Sequence, residues 1–176
     1  MIRMAVPEDA AGCLSIYNWY IENSDATFET ELLSEEEFRS RIIQITESYP
    51  WIVYEEDGVI RGYAYLSAFN PRQAYRWTCD LAVYTDREMR GRGIGSLLIS
   101  AMIRLAYQDG YYRMVSLITR GNTASERIHE KFGFQKCGVL EKTGYKSGKW
   151  LDVSFYMLKL REGTPGTITN EEIRQV

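Results

Sequence analysis

The chain of 176 residues is long enough for one domain with its own core, and its hydrophobic content of 45% is typical of a globular protein. A formal net charge of −3 provides no basic surface for nucleic acid or for an anionic membrane, so we expect neither as a partner. The chain has no signal-peptide pattern at its N-terminus and no apolar run approaching the roughly 20 residues of a membrane span. Three widely spaced cysteines and a single histidine argue against a disulfide framework and against a metal site, and they favour reduced thiols in the cytoplasm.

The first half of the chain predicts a short strand, two helices and a β-hairpin. Residues 2–6 have strand composition, and the sequence Pro-Glu-Asp at 7–9 opens a helix. Residues 23–30 carry turn-forming side chains without periodicity, so we expect a loop there. A capping-box pattern that begins at Ser34 starts the second helix. Two apolar runs on either side of 56–58, Glu-Asp-Gly, then predict the hairpin.

The second half of the chain predicts strands interleaved with helices. In order we expect a strand over 76–84, a helix from 94 that ends at Asp109 and Gly110, a buried strand over 112–118, a short helix over 122–132, and strands over 134–160 that are broken at Gly144 and Gly148. This alternation predicts an α/β or α+β domain of three layers with a mixed sheet. The polar residues 161–176 are expected to form a tail after a domain of residues 1–160.

Residues 90–102, RGRGIGSLLISAM, place three glycines in five positions directly before a helical pattern. Because glycine costs a helix interior about 1 kcal/mol relative to alanine, this cluster indicates a loop with a specific purpose. A helix start offers unpaired N–H groups and the positive end of a dipole, so the loop can hold a phosphate, with Arg87, Arg90 and Arg92 nearby. The spacing G-x-G-x-G fits neither the dinucleotide fingerprint nor a Walker loop, which argues against an NAD-type oxidoreductase. A tight turn with exposed arginines is the alternative.

These residues resemble a known family. The sequence of 90–95 matches the Q/R-x-x-G-x-G/A motif of the GNAT superfamily of N-acetyltransferases, and residues 81–99 and 122–134 resemble the strand, loop and helices around it. GYKSGKWLDVSFY at 144–156, together with IYN at 16–18 and ATFET at 26–30, is similar to the phosphinothricin and methionine sulfone acetyltransferase branch. The resemblance covers about residues 1–160. It implies a mixed, mostly antiparallel sheet of about seven strands with helices on both faces, and acetyl-CoA as co-substrate without a metal.

The resemblance also implies binding residues for both substrates. For acetyl-CoA these are Leu81, Val83, Tyr84 and Thr85 on the strand, Arg90, Gly91, Arg92, Gly93, Ile94, Gly95 and Ser96 in the loop, and Asn122 and Ser125 at the later helix. Asparagine and serine are also ordinary helix-start residues, which is the alternative for the last two. For the acceptor, Arg76 would pair with a carboxylate, Phe28 would close from a flexible loop, and Thr78 would line the pocket. An exposed surface arginine is the alternative for Arg76.

Acetyl transfer requires the acceptor amine to lose a proton, because an α-amine is largely protonated at neutral pH. Asp80 is our candidate base, since an acid within the apolar run WTCDLAVY is out of place unless it is paired or used. The resembling proteins have glutamate there, so the shorter aspartate indicates a water relay; a solvent-facing strand-end residue is the alternative. His129 stands where the wider family often has a tyrosine acid, and it could donate to the thiolate or simply be packed. Ser147 stands where the resembling proteins often carry histidine, so any role of that histidine is missing here.

Our hypothesis is therefore an N-acetyltransferase that acts on a small amino-acid-like amine of the phosphinothricin, methionine sulfone or methionine sulfoximine type, by direct attack in a ternary complex. Another amine, such as a peptide N-terminus, a polyamine or an antibiotic, stays open because the fold alone does not choose among them. A catalytically weak CoA-binding module is also open, given Asp80 and Ser147. The resemblance further implies a homodimer packed partly through the C-terminal strands.

Overall fold

The computed structural model describes residues 1–165; the remainder of the predicted tail, residues 166–176, lies outside the described residues. Seven strands and four α-helices follow one another within 1–165. In order they are β1 Ile2–Met4, α1 Ala10–Asn23, α2 Glu35–Thr46, β2 Trp51–Glu56, β3 Val59–Ala68, β4 Thr78–Thr85, α3 Ile94–Gln108, β5 Arg113–Thr119, α4 Thr123–Lys131, β6 Gln135–Lys146 and β7 Lys149–Lys159. The order agrees with the succession of elements that the sequence predicts.

The strands form one sheet in the order β1-β2-β3-β4-β5-β7-β6. Every neighbouring pair is antiparallel except β4 and β5, which are parallel, so the predicted mixed and mostly antiparallel sheet is confirmed. Successive residues of a strand point to opposite faces, and here they divide between two cores. Trp51 and Tyr63 pack with α1 and α2, whereas their neighbours Ile52 and Ala64 pack with α3. The helices therefore cover both faces of the sheet.

β4 and β5 are neighbours only at the ends where they begin. Three residue pairs join them, the last being Asp80 with Val115, although β4 continues to Thr85 and β5 to Thr119. Beyond Asp80 the two strands separate, so the edge of β4 that faces β5 has no strand partner among the described residues. Backbone groups inside a protein need hydrogen-bond partners, so an opening in the middle of a sheet is a place for a bound molecule.

Most local predictions hold, with one exception in the C-terminal strands. The Ser34 hydroxyl accepts a hydrogen bond from the Glu37 N–H and the Glu37 carboxylate accepts from the Ser34 N–H, which confirms the capping box. Gly144 does not break its strand, since β6 runs through it with a shift of register between Leu140 and Gly144. The chain reverses instead at residues 147–148, where Ser147 and the following glycine both have positive φ.

Candidate active site

A cleft of about 1000 Å³ opens where β4 and β5 separate. Its walls are the free edge of β4, the loop of residues 89–96 with the start of α3, the end of β5, the start of α4, and residues 24–26 after α1. Both predicted catalytic residues line it. So do all of the predicted acetyl-CoA residues except Arg92, while the three predicted acceptor residues lie outside its walls. The opening in the sheet and the loop of residues 24–26 thus bring residues from distant parts of the chain into one cleft.

The glycines at 91, 93 and 95 serve two different geometries. Gly91 and Gly93 have φ of +79° and +82°, in the left-handed region that favours glycine, and Gly93 immediately precedes α3. Gly95 lies within α3, where an added Cβ would stand 3.2 Å from Ile128 Cδ1 of α4. The loop therefore turns sharply and lets α4 approach the start of α3, whose first N–H groups have no partner within the helix. This arrangement fits a phosphate group.

Of the three arginines near the loop, Arg90 lines the cleft. Its guanidinium lies 5.0 Å from the ring of Trp19, which Arg87 also approaches at 5.5 Å, so one tryptophan of α1 orients both cations. Arg92 points elsewhere, since its Nη1 is 3.3 Å from Glu56 Oε2 and its backbone N–H bonds to residue 89. The structure thus does not bring the Arg92 side chain to the cleft. Trp19 was not found from the sequence, because no local pattern links α1 to this loop.

On the free edge of β4, the carbonyl group at each end accepts a hydrogen bond from a side chain. Ser116 Oγ donates to the Leu81 carbonyl at 3.3 Å, and the Tyr20 hydroxyl donates to the Thr85 carbonyl at 2.9 Å. Alternate residues of a strand direct their backbone groups to the same edge, so Val83, between them, also faces the opening. A linear ligand with amide groups could pair with this edge as a missing strand would.

Asp80 is the last residue of β4 that pairs with β5, and the opening begins after it. Its neighbours Cys79 and Leu81 belong to the α3 core, so the carboxyl group points to the opposite face, where it lines the cleft. Burial raises the pKa of Asp80 to about 7, and the Leu81 N–H offsets this only in part. Such a carboxylate is a proton acceptor matched to neutral pH. The half-buried position and the raised pKa argue against the alternative of a fully solvent-facing strand-end aspartate.

His129 is 4% exposed, lines the cleft and contacts Phe134 edge-on at 5.0 Å. Its Nδ1 lies 2.8 Å from the Ser125 carbonyl oxygen, which can only accept, so Nδ1 carries the proton and Nε2 of the neutral ring is an acceptor. Nε2 is enclosed and has no hydrogen-bond partner among the described residues. Burial lowers the pKa of His129, which keeps the ring neutral. The geometry therefore provides an acceptor rather than the predicted proton donor.

The three predicted acceptor residues are not among the residues that line the cleft. Phe28 lies in the loop after α1, and its ring covers Gly144 so closely that an added Cβ there would be 2.2 Å from Phe28 Cε2. The Arg76 guanidinium lies over the ring of Trp77 at 4.8 Å, in the connection before β4. Thr78 is half-buried at the paired end of β4. The contacts of these three residues are thus with other parts of the chain, namely with Gly144, with Trp77 and through the β4–β5 pairing.

Two further residues change the sequence-based picture. Tyr65 of β3 lines the cleft beside Asp80 and stacks on Trp51 with ring centroids 4.3 Å apart; burial raises the pKa of its hydroxyl. Ser147 has a φ of +50° at the exposed turn between β6 and β7 and does not line the cleft. Histidine is enriched among non-glycine residues with positive φ, so the turn geometry is enough to account for a histidine at this position in the resembling proteins.

Other features of residues 1–165 bear on partners. No helix in this range is long and apolar enough to cross a bilayer. No group of three or more His, Cys, Asp or Glu side chains in the same range could hold a metal ion. Cys13 and Cys79 are buried free thiols, and Cys137 is an exposed one.

Comparison with known proteins identifies relatives along nearly the whole chain. Residues 2–155 match the acetyltransferase (GNAT) domain. A phosphinothricin N-acetyltransferase of Streptomyces viridochromogenes is 36% identical over 155 residues, which are 88% of this chain and 85% of that protein. An L-methionine sulfoximine/L-methionine sulfone acetyltransferase of Pseudomonas aeruginosa is 34% identical over 164 residues, 90% of this chain and 94% of that one. The structure of a phosphinothricin acetyltransferase from Sinorhizobium meliloti in complex with AcCoA superposes with a TM-score of 0.90 at 36% identity, covering 97% of this chain and 93% of that chain.

Proposed function

The chain belongs to the GNAT acetyltransferases, as its sequence predicts, and we propose that it acetylates the amino group of a small amino-acid-like substrate of the phosphinothricin, methionine sulfone or methionine sulfoximine type. It is an acetyl-CoA-dependent N-acetyltransferase. The observation that carries the proposal is the position of Asp80, a half-buried carboxyl group of raised pKa that lines the same cleft as the β4 edge and residues 24–26. A thioester held on that edge and an amine beside that loop would meet at this carboxylate.

Acetyl-CoA supplies the thioester carbonyl that the amine attacks, and the residues of the cleft fit its parts. The N–H groups at the start of α3, with Arg90, would hold the pyrophosphate. The β4 edge at Leu81, Val83 and Thr85 would pair with the pantetheine amides and polarise the carbonyl. Asn122 accepts a hydrogen bond from the Ser125 N–H at 3.3 Å, so it fills the ordinary helix-start role and keeps its amide donors for the pantetheine arm.

Proton balance assigns the central step to Asp80. The substrate ammonium loses one proton to this carboxylate, directly or through water, before nitrogen attacks the carbonyl carbon. The carbon–sulfur bond then breaks and the sulfur leaves as thiolate. The nitrogen loses its second proton as the amide forms. One of the two protons passes to the thiolate to give the free thiol, and the other is released to solvent, which returns Asp80 to its carboxylate form. The neutral His129 has only an acceptor to offer, so we propose that it accepts a hydrogen bond from the pantetheine arm rather than acting as the acid.

Replacing His129 with phenylalanine tests that assignment. We expect kcat/KM for acetyl-CoA to fall by about tenfold or less, the value of one hydrogen bond, because phenylalanine keeps the contact with Phe134. The pH dependence of kcat should keep its shape. The measurement is a pair of pH–rate profiles, wild type and variant. A loss of kcat of about 100-fold with disappearance of one limb would instead make His129 the acid.

Thiol release from acetyl-CoA tests the proposed function itself. L-phosphinothricin, methionine sulfone and methionine sulfoximine should each release thiol, while spermidine and a short peptide should not. Release with the peptide or with spermidine alone would move the substrate class to another amine. If no acceptor causes thiol release although calorimetry shows that acetyl-CoA binds, the result would favour the CoA-binding module.

We also propose a homodimer formed partly by β6 and β7. β6 is an edge strand with nearly every residue exposed, Leu140 among them, and its neighbour β7 leaves Trp150 and Met157 exposed as well. An exposed edge with large apolar side chains favours association, so a second copy would cover it. Light scattering should give about twice the chain mass of 20.4 kDa; the single-chain mass would contradict the proposal. The free thiols support our placement of the enzyme in the reducing cytoplasm.

A further inference from the structure

Lys146, at the end of β6, is a buried lysine that the acetyl-transfer machinery described above does not use. It is 5% exposed, and its Nζ donates hydrogen bonds to the carbonyl oxygens of Ser24 and Thr27, each at 2.9 Å. Lysine is almost never fully buried unless its charge is paired, and burying an ammonium group is unfavourable. The bonds join residues 122 and 119 positions apart in the sequence, so they fix two distant parts of the chain to each other.

The two carbonyls belong to a segment, residues 24–28, that we call the acceptor segment. Its first three residues line the cleft, and its last, Phe28, covers Gly144. Gly144 and Lys146 are two positions apart on β6. The end of β6 therefore contacts the acceptor segment at both of its ends, through the ammonium group and through the space left by a missing side chain.

The neighbouring strands add further contacts to the same segment. Lys149 Nζ of β7 is 2.7 Å from Asp25 Oδ2, and the Thr119 hydroxyl at the end of β5 donates to the Asp25 carbonyl. From the helical side, the Tyr17 hydroxyl is 2.8 Å from Thr27 Oγ1. The loop that the family resemblance implies to be flexible is thus held from both sides. The Lys149 pair is exposed and contributes little, whereas Lys146 is enclosed and gives two charge-assisted bonds.

We propose that Lys146 is a positioning residue for the acceptor amine. Its ammonium group sets the acceptor segment against the cleft, and it thereby controls the affinity for the acceptor while leaving the acetyl-CoA side untouched. That selectivity follows from the architecture, because the acetyl-CoA walls are β4, α3 and α4, and the hydrogen bonds of Lys146 go to none of them. The kinetic part of this inference rests on the proposed function. Small displacements of positioning groups have large effects, since about 1 Å can change a rate about 100-fold.

The test compares Lys146→Met with Lys149→Met, a matched control that removes the exposed cation from the same hairpin. In Lys146→Met we expect KM for methionine sulfone to rise about tenfold, which corresponds to about 1.4 kcal/mol, with KM for acetyl-CoA within about twofold. In Lys149→Met both constants should stay within about twofold. Hydrogen exchange without substrate should be faster over residues 22–33 in Lys146→Met alone, and unchanged over α3.

A second variant, Gly144→Ala, displaces the Phe28 ring while keeping Lys146, and it should raise the same KM selectively. Equal rises of both Michaelis constants, or faster exchange throughout the chain, would overturn the proposal in favour of a general structural role. Unchanged acceptor KM in Lys146→Met would overturn it as well. If the wild type acetylates none of the acceptors, the proposed function fails, and the exchange of residues 22–33 alone decides whether Lys146 positions the segment.

Discussion

Asp80→Asn should lower kcat roughly 10²- to 10⁴-fold, the range expected when a general base is removed, while the Kd for acetyl-CoA stays within about twofold. Asparagine has the same size and can keep the contact with the Leu81 N–H, but it cannot accept a proton from the substrate ammonium. The acetyl-CoA edge of β4 begins after this position, so binding is spared. Thiol release gives kcat, and calorimetry gives the Kd.

The pH dependence provides the control for this variant. Because burial raises the pKa of Asp80 to about 7, wild-type kcat/KM for the acceptor should rise with pH through about 7, and the limb should be absent in Asp80→Asn. The pKa of Asp80 in the folded chain lies above its value in the unfolded chain, which is near 3.9. The folded state is therefore destabilised progressively as the pH rises from about 4 to about 7 and this group must ionise. The variant should therefore unfold at a higher temperature than the wild type at pH 8. Full turnover in the variant would remove Asp80 from the mechanism.

Two other polar groups near the cleft resemble Asp80 in being shielded from water although the packing of the core does not require them. His129 has an acceptor nitrogen without a partner, and Lys146 has its charge placed on two carbonyls of the acceptor segment. Buried polar groups of this kind cost stability. Their arrangement around one opening is what an enzyme requires, with one group for proton transfer, one for the bound arm and one for the loop.

The features that the sequence predicts correctly are those specified by short stretches of chain. The capping box at Ser34 depends on residues three positions apart, and the hairpin turn depends on two adjacent residues with positive φ, Asp57 and Gly58. The glycine loop is similar, because Gly91 and Gly93 impose their conformation on the residues around them. Family resemblance added the roles of residues along β4, for which no local rule exists.

The features that the sequence does not reveal depend on pairs of residues far apart in the chain. The separation of β4 from β5 after Asp80 is one example, since no residue pattern in either strand indicates where their pairing ends. Arg92 has the same local context as Arg90 but pairs with Glu56 of β2, so only the folded chain distinguishes the two. The contact of Phe28 with Gly144 likewise joins a loop to a strand more than a hundred residues later. Such contacts carry no periodic signal.

Gly93→Val should raise the Kd for acetyl-CoA about 100-fold, which corresponds to about 2.7 kcal/mol, the value of one or two hydrogen bonds to a charged group. Gly93 has a φ of +82° directly before α3, a conformation that a β-branched residue adopts only at a genuine strain. No atom lies within 4 Å of an added Cβ, so the effect comes from the backbone, which would turn the first N–H groups of α3 away from the cleft. The matched control is Gly110→Val, at the other end of α3, with a φ of +86° and equally open surroundings. Calorimetry should find weaker acetyl-CoA binding in Gly93→Val alone, although both variants lose stability; an unchanged Kd would place the pyrophosphate outside this loop.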